Sequence, residues 1–295
     1  MRFGIIAMQL EALVPPGVPA EQVMANIVNF DQARLVKILF GKGFNPIELG
    51  GDLGMFLPHV YNDESIQKLA ALRAEGVTYT VHLPLWSVEP STPLSQVRQG
   101  SVQAVVDMLK ACLPLEPEVF VLHATGALAA EFYNMKISET ARTLILQQFQ
   151  NSTRESLRAI LTQTGLPNRK LAIETVEFPL DLTLELADEL DLSVCLDTGH
   201  VLTGFPGWFD FFDVLEKCLP RIAEVHLHDS KRMPEGVRGY GEDHKPLGKG
   251  DLELGRLLDR LNEANFSGPL VFELSVGEAC ESLKVIRGIR PQYVL

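Results

Sequence analysis

The sequence predicts an α/β protein, a (β/α)8 (TIM) barrel spanning residues 1–295 as a single domain. Three observations predict it. Eight short apolar runs alternate with longer runs of helical spacing, which implies parallel strands joined by right-handed crossovers. The length, 295 residues, is ordinary for one such barrel. Strand after strand ends in an ionisable residue, where a barrel of this kind keeps its active site.

The first strand is FGIIAM (3–8). A helical segment follows from about Glu21 and stops at Gly41. PIELGG (46–51) is the second strand, and a helix opening at Asp63 and ending at Gly76 separates it from TYTVHL (78–83). VFVLHA (119–124) is the fourth. A long helix then opens at Ser138 and stops at Gly165, with a capping hydroxyl at one end and a glycine stop at the other. LAIETV (171–176), SVCLDT (193–198), AEVHLH (223–228) and PLVFEL (269–274) complete the set. A doubly wound open sheet is the competing arrangement. It is disfavoured because no GxGxxG follows the first strand, and the glycine-rich LGKGDLELG comes late.

Composition narrows the class. Hydrophobic residues make up 46% of the chain, enough for a large core, and no low-complexity tract or linker interrupts it. The opening MRFGIIAM is too short an apolar run for a signal peptide. No stretch approaches the ~20 apolar residues of a membrane span. The four cysteines, Cys112, Cys195, Cys218 and Cys280, form no CxxC pair. They read as reduced core thiols and suit the cytoplasm. The net charge of −12 argues against a protein that grips a nucleic-acid backbone.

The strand ends carry the chemistry. In order they supply Glu48, His82, His123, Glu174, Asp197 with His200 just beyond, then His226, His228 and Asp229, and last Glu273. Of seven histidines only His59 lies away from this set; His244 sits in the loop after the seventh strand. A lone strand-end histidine is ordinarily a satisfied core group. A converging group of acids and imidazoles is different, because buried charge without a partner costs several kcal/mol. The strand ends carry no lysine or arginine, so metal cations are the expected partners. Imidazole and carboxylate ligands without thiolate point to zinc, or to manganese or iron.

These residues resemble the xylose isomerase-like TIM-barrel superfamily, which includes the endonuclease IV-type AP endonucleases (AP endonuclease family 2). The segments that carry the likeness are HLP, LHATG, IET, DTGH, HLHD, DHKPLGKG and FEL, in order along nearly the whole chain. The resemblance offers two branches. Sugar isomerases and epimerases hold one divalent metal, which here implies Glu174, Asp197, His226 and Glu273. The endonuclease-like branch holds three zinc ions. That implies His82 and His123 on the first, Glu174 as a bridge, and Asp197, His226 and Glu273 on the second. His200 and His244 would serve the third with an acid two residues before His244, which is Glu242 here, beside Asp243. Two or three ions per chain are therefore expected.

The loop from Lys231 to Lys249 concentrates the few cations near this face. Lys231, Arg232 and Arg238, with His228, are the expected substrate contacts, and glycines at 236, 239 and 241 suit a lid. DNA is not the expected substrate, given the acidic balance and a single short basic loop. A narrower likeness, in YTVHLPL and LPLEPEVFVLHATG, is to cobamide-remodelling phosphodiesterases. The expected function is a metal-dependent phosphodiesterase on a small nucleotide-like phosphoester, such as a cobamide, with Glu174 and Glu273 as the catalytic residues; in an isomerase the same two would be the bases on either face of the sugar carbon. The alternatives are a one-metal sugar or sugar-phosphate isomerase or epimerase, and a barrel that binds ligand without turnover.

Overall fold

The structure, a computed structural model, describes residues 1–9, 17–237 and 242–294. Eight parallel strands close into a barrel in chain order: β1 (Arg2–Ile6), β2 (Ile47–Gly50), β3 (Tyr79–His82), β4 (Phe120–Leu122), β5 (Leu171–Glu174), β6 (Ser193–Asp197), β7 (Ile222–His226) and β8 (Pro269–Phe272). Closure is made by β1 against β8, with Phe3 opposite Leu270 and Ile5 opposite Phe272. Every expected strand is present, each ending one or two residues early, while β1 and β7 begin one residue before the expected start.

Twelve α-helices accompany the strands among the described residues: α1 (Ala20–Val28), α2 (Gln32–Gly41), α3 (Leu53–Phe56), α4 (Asp63–Leu72), α5 (Ser95–Cys112), α6 (Ala127–Asn134), α7 (Glu139–Thr164), α8 (Leu180–Glu189), α9 (Thr198–Leu202), α10 (Phe211–Cys218), α11 (Leu254–Glu263) and α12 (Val276–Ile289). The helix expected from Glu21 to Gly41 is two helices. Asn29 ends α1, its side chain donating to the Ala25 carbonyl at 2.8 Å, and Asp31 starts α2 by accepting from the Arg34 amide. The other two expected boundaries hold. Asn62 caps α4 and Ser138 caps α7, and Gly76 and Gly165 end their segments with positive φ. No described helix is long and apolar enough to cross a membrane.

Strand alternation divides the side chains into two sets. Val81, Leu122, Ile173, Leu196, Val225 and Leu270 point outward into the core beneath the helices. Each such burial contributes about 1.5–3 kcal/mol. Inward, the lower barrel holds small apolar side chains, Val121, Ala172 and Cys195. Above them the inward positions turn ionisable.

Candidate metal centre

Glu174, the last residue of β5, stands at the middle of the barrel mouth and is buried. Its Oε2 lies 3.2 Å from His82 Nε2, 3.1 Å from His123 Nε2 and 3.5 Å from His226 Nδ1. Its Oε1 lies 3.2 Å from His200 Nδ1. His226 Nδ1 also faces Glu273 at 3.6 Å and Asp197 at 3.9 Å. On the far side His244 stands between Asp243, 3.1 Å from Nδ1, and Glu273, 3.2 Å from Nε2. Among the described residues no lysine or arginine forms an ion pair with Glu174, Asp197, Asp243 or Glu273.

The hydrogen bonds show what the cluster lacks. His82 Nδ1 donates to the Leu83 carbonyl at 2.9 Å, so in the neutral ring Nε2 presents a lone pair. That lone pair faces the lone pairs of Glu174. His200 Nδ1 and His226 Nδ1 are buried and make no hydrogen bond at all, although carboxylate oxygens surround both. Nitrogen and carboxylate donors arranged around short gaps fit divalent cations. Several triads of them have ligand atoms within 4.8 Å of one another, among them His82–Glu174–His226, Glu174–Asp197–His200 and His200–Asp243–His244.

Electrostatics agree. Burial lowers the imidazole values, but the surrounding carboxylates outweigh it. His82 is pushed up to about 9, chiefly by Glu174, and His200 to about 9 by Asp197 and Glu174. His244 rises to about 11 beside Asp243 and Glu273. Burial opposes ionisation of Glu174 and Glu273, yet the imidazoles hold both well below the usual carboxylate range. The site demands positive charge, as protons or as metal ions.

The sequence motifs find physical reasons here. Asp197 caps α9 by accepting the His200 amide at 2.7 Å, which fixes both side chains of DTGH. Thr198 Oγ1 bonds to the carbonyls of His226 and His228. A Cβ on Gly199 would sit 2.1 Å from His228 Cε1, so only glycine lets that ring pack beneath α9. Gly126 likewise leaves room for Glu89, whose carboxylate accepts the amides of Gly126 and Leu128 at the start of α6. Asp229 does not join the cluster. Its carboxylate accepts the amides of Ser230, Gly248 and Leu252, and so anchors the long loop after β7.

Two residues lie away from where they were expected. Glu242 was expected with His200 and His244, but its carboxylate pairs with Lys245 at 2.8 Å. Asp243 lies nearer, its carboxylate 3.9 Å from His200 Nε2 and 3.1 Å from His244 Nδ1. His228 was expected to touch substrate. It is fully buried, its Nε2 is 2.9 Å from Asp197 and its Nδ1 accepts the His244 amide at 2.9 Å, so neither nitrogen is left for a ligand. Lys231 pairs with Asp251, and the Arg232 guanidinium is 4.0 Å from Asp210. Arg238 lies outside the described residues.

A cleft of roughly 270 Å³ opens over His123 and His200. Leu85, Trp86, Val176 and Phe205 line it, so its walls are largely apolar. Asp52 accepts the amides of Leu85 and Trp86 and holds that wall in place. Trp86 is half exposed and meets Phe56 edge-on at 6.1 Å, making an aromatic rim.

One inward residue escaped the sequence reading. Glu224 is fully buried in β7, two residues before His226. Burial and the neighbouring Glu48 hold its carboxyl well above the usual range. The signal was the period of two, which places Glu224 on the same inward face as His226.

Comparison with known proteins gives one consistent picture. The family described as xylose isomerase-like TIM barrel matches residues 41–289. The uncharacterized protein MJ1311 of Methanocaldococcus jannaschii is 25% identical over 240 residues, 78% of this chain and 76% of that protein. Among solved structures, a D-tagatose 3-epimerase-like protein superposes with a TM-score of 0.70 at 19% identity, covering 99% of this chain and 98% of its own. Endonuclease IV from Thermus thermophilus superposes with a TM-score of 0.67 at 19% identity, covering 99% of this chain and 100% of its own.

Proposed function

The chain belongs to the xylose isomerase-like TIM-barrel family, and from that premise we propose that it is a metal-dependent hydrolase of small phosphodiesters. The observation that carries the reading is the division of labour at Glu174. One carboxylate oxygen faces His82, His123 and His226, and the other faces His200. A carboxylate so placed suits a bridge between ions, and a one-ion centre has no need of the two histidines from β3 and β4.

His82, His123 and Glu174 would hold one ion. Asp197, His226 and Glu273 would hold a second with Glu174, and His200, Asp243 and His244 a third. When bound, such ions acidify a water and neutralise charge on the phosphoryl group and its leaving oxygen. The protein's own part is binding and orientation. His123 and His200 form the floor of the cleft. Trp86 offers a face on which a planar group can stack, and Val176 and Phe205 exclude water around it. A net charge of −12 favours a small substrate over a nucleic-acid duplex. The likeness of YTVHLPL and LPLEPEVFVLHATG to cobamide-remodelling phosphodiesterases makes a cobamide the first substrate to try.

A second reading is a sugar epimerase or isomerase. It is favoured by the D-tagatose 3-epimerase-like structural neighbour and by a cleft lining without lysine or arginine among the described residues. Metal analysis joined to a substrate panel decides between them. Two or three zinc, manganese or iron ions per chain with turnover of a phosphodiester supports the hydrolase. One ion with turnover of a ketose overturns it.

A further inference from the structure

Beneath the metal centre the barrel interior holds a polar layer that the proposed chemistry does not use. Glu48 on β2, Thr80 on β3 and Glu224 on β7 are all fully buried. Thr80 Oγ1 lies 3.0 Å from Glu224 Oε1 and 3.3 Å from Glu48 Oε2, so one hydroxyl joins the two acids. Glu48 and Thr80 are register partners on neighbouring strands, which fixes the height of the layer. Glu48 then reaches across the barrel to His226 Nε2 at 3.4 Å, a contact between residues 178 apart in the chain. Glu48 Oε1 and Glu224 Oε2 make no hydrogen bond. Apolar side chains would fill this layer at lower cost, since buried carboxyl groups are retained against a desolvation penalty.

We propose that Glu48 is a positioning residue for His226, held in place by Thr80 and Glu224. It accepts the Nε2 hydrogen of His226 and so fixes the tautomer whose bare Nδ1 points at the gap between Glu174, Asp197 and Glu273. The inference rests on His226 as a metal ligand. A ligating imidazole keeps its ring orientation and basicity through the bond its other nitrogen makes. In this chain that bond comes from inside the barrel, from a strand that supplies no ligand of its own.

The test uses the full chain, stripped of metal and then titrated with Zn²⁺ against a chromophoric chelator. Imidazole ¹H–¹⁵N spectra of the stripped protein, recorded at a pH high enough to neutralise the ring that the surrounding carboxylates hold charged, report the His226 tautomer. Glu48→Gln keeps an acceptor oxygen and is expected to retain the Nε2–H tautomer and near-native Zn²⁺ affinity. Glu48→Leu is expected to lose the fixed tautomer and to weaken one class of Zn²⁺ site by about 10–100-fold, without lowering the thermal stability of the stripped protein. Native Zn²⁺ affinity with an unchanged tautomer in Glu48→Leu overturns the proposal, as does equal damage in Glu48→Gln. Should Glu48→Leu not fold, Thr80→Val removes only the hydroxyl that holds Glu48. It is expected to weaken the same site, and an unchanged affinity there overturns the proposal. Wild-type protein that binds no Zn²⁺ would defeat the hydrolase reading, while the tautomer spectra would still decide the role of Glu48.

Discussion

The ring of His228 stacks on that of His244 at a centroid distance of 4.2 Å, while its Nδ1 accepts the His244 backbone amide. His228 thus holds both the ring and the backbone of a residue kept at positive φ, and its Nε2 holds Asp197. His228→Phe keeps the stacking and removes both hydrogen bonds. It is expected to lower metal content by about one ion and to destabilise the loaded protein by about 1–3 kcal/mol. Metal analysis and denaturant unfolding check both.

Gly199→Ala tests the same support from behind. The new methyl would fall 2.1 Å from the His228 ring, so the ring must move. The expected cost is about 1–3 kcal/mol of stability, with the metal loss seen in His228→Phe. Native stability together with full metal content would contradict the packing argument.

His123→Ala separates the two functional readings. It is expected to remove about one ion per chain and most phosphodiester turnover. A one-ion epimerase would keep its metal count and show only a raised KM for a ketose. Glu174→Gln is the control, since every ion the cluster can hold near β5 depends on that carboxylate.

Trp86→Ala addresses the aromatic rim. Stacking of a base on an aromatic side chain is worth about 1–3 kcal/mol. For a nucleotide-like substrate KM is expected to rise by about 10-fold or more with little change in kcat. An unchanged KM would remove Trp86 from substrate binding.

Removing the ions should make stability depend on pH. In the stripped protein His82 and His200 are raised from 6.5 to about 9. Stability from a raised group is complete below about pH 6.5 and is lost as pH climbs through 9. The lowered carboxylates Glu174 and Glu273 act oppositely, contributing above their ordinary value of 4.5 and losing stability as pH falls through their lowered values. Melting temperatures of chelated protein are expected to decline between about pH 6.5 and 9. Loaded protein should not show that decline, because the same lone pairs are then occupied.

The barrel was legible because each strand is a short apolar run between clear helix stops, as with Ser138 and Gly165 around α7. The break at Asn29–Asp31 was not, because apolar spacing continues across it and only the Asp31 cap marks the restart. The ligand-type residues were legible as strand ends. Their partners were less so. Spacing after β7 cannot tell Glu242 from Asp243, since these adjacent acids face different partners, Lys245 and His200, which only the folded loop brings near. The burial of His228 depends on the missing side chain of Gly199, which no pattern of polarity reveals.

The centre draws its side chains from the ends of β3 through β8 and from the loop that follows β7, so no fragment of the chain contains it. His82 and Glu174 are 92 residues apart and meet only after the intervening strand is in register. Contacts of such long range close late in folding. Ions that recognise this arrangement bind the finished barrel and not its precursors. Their binding energy would therefore favour the closed ring over every partly formed one, as a clasp does.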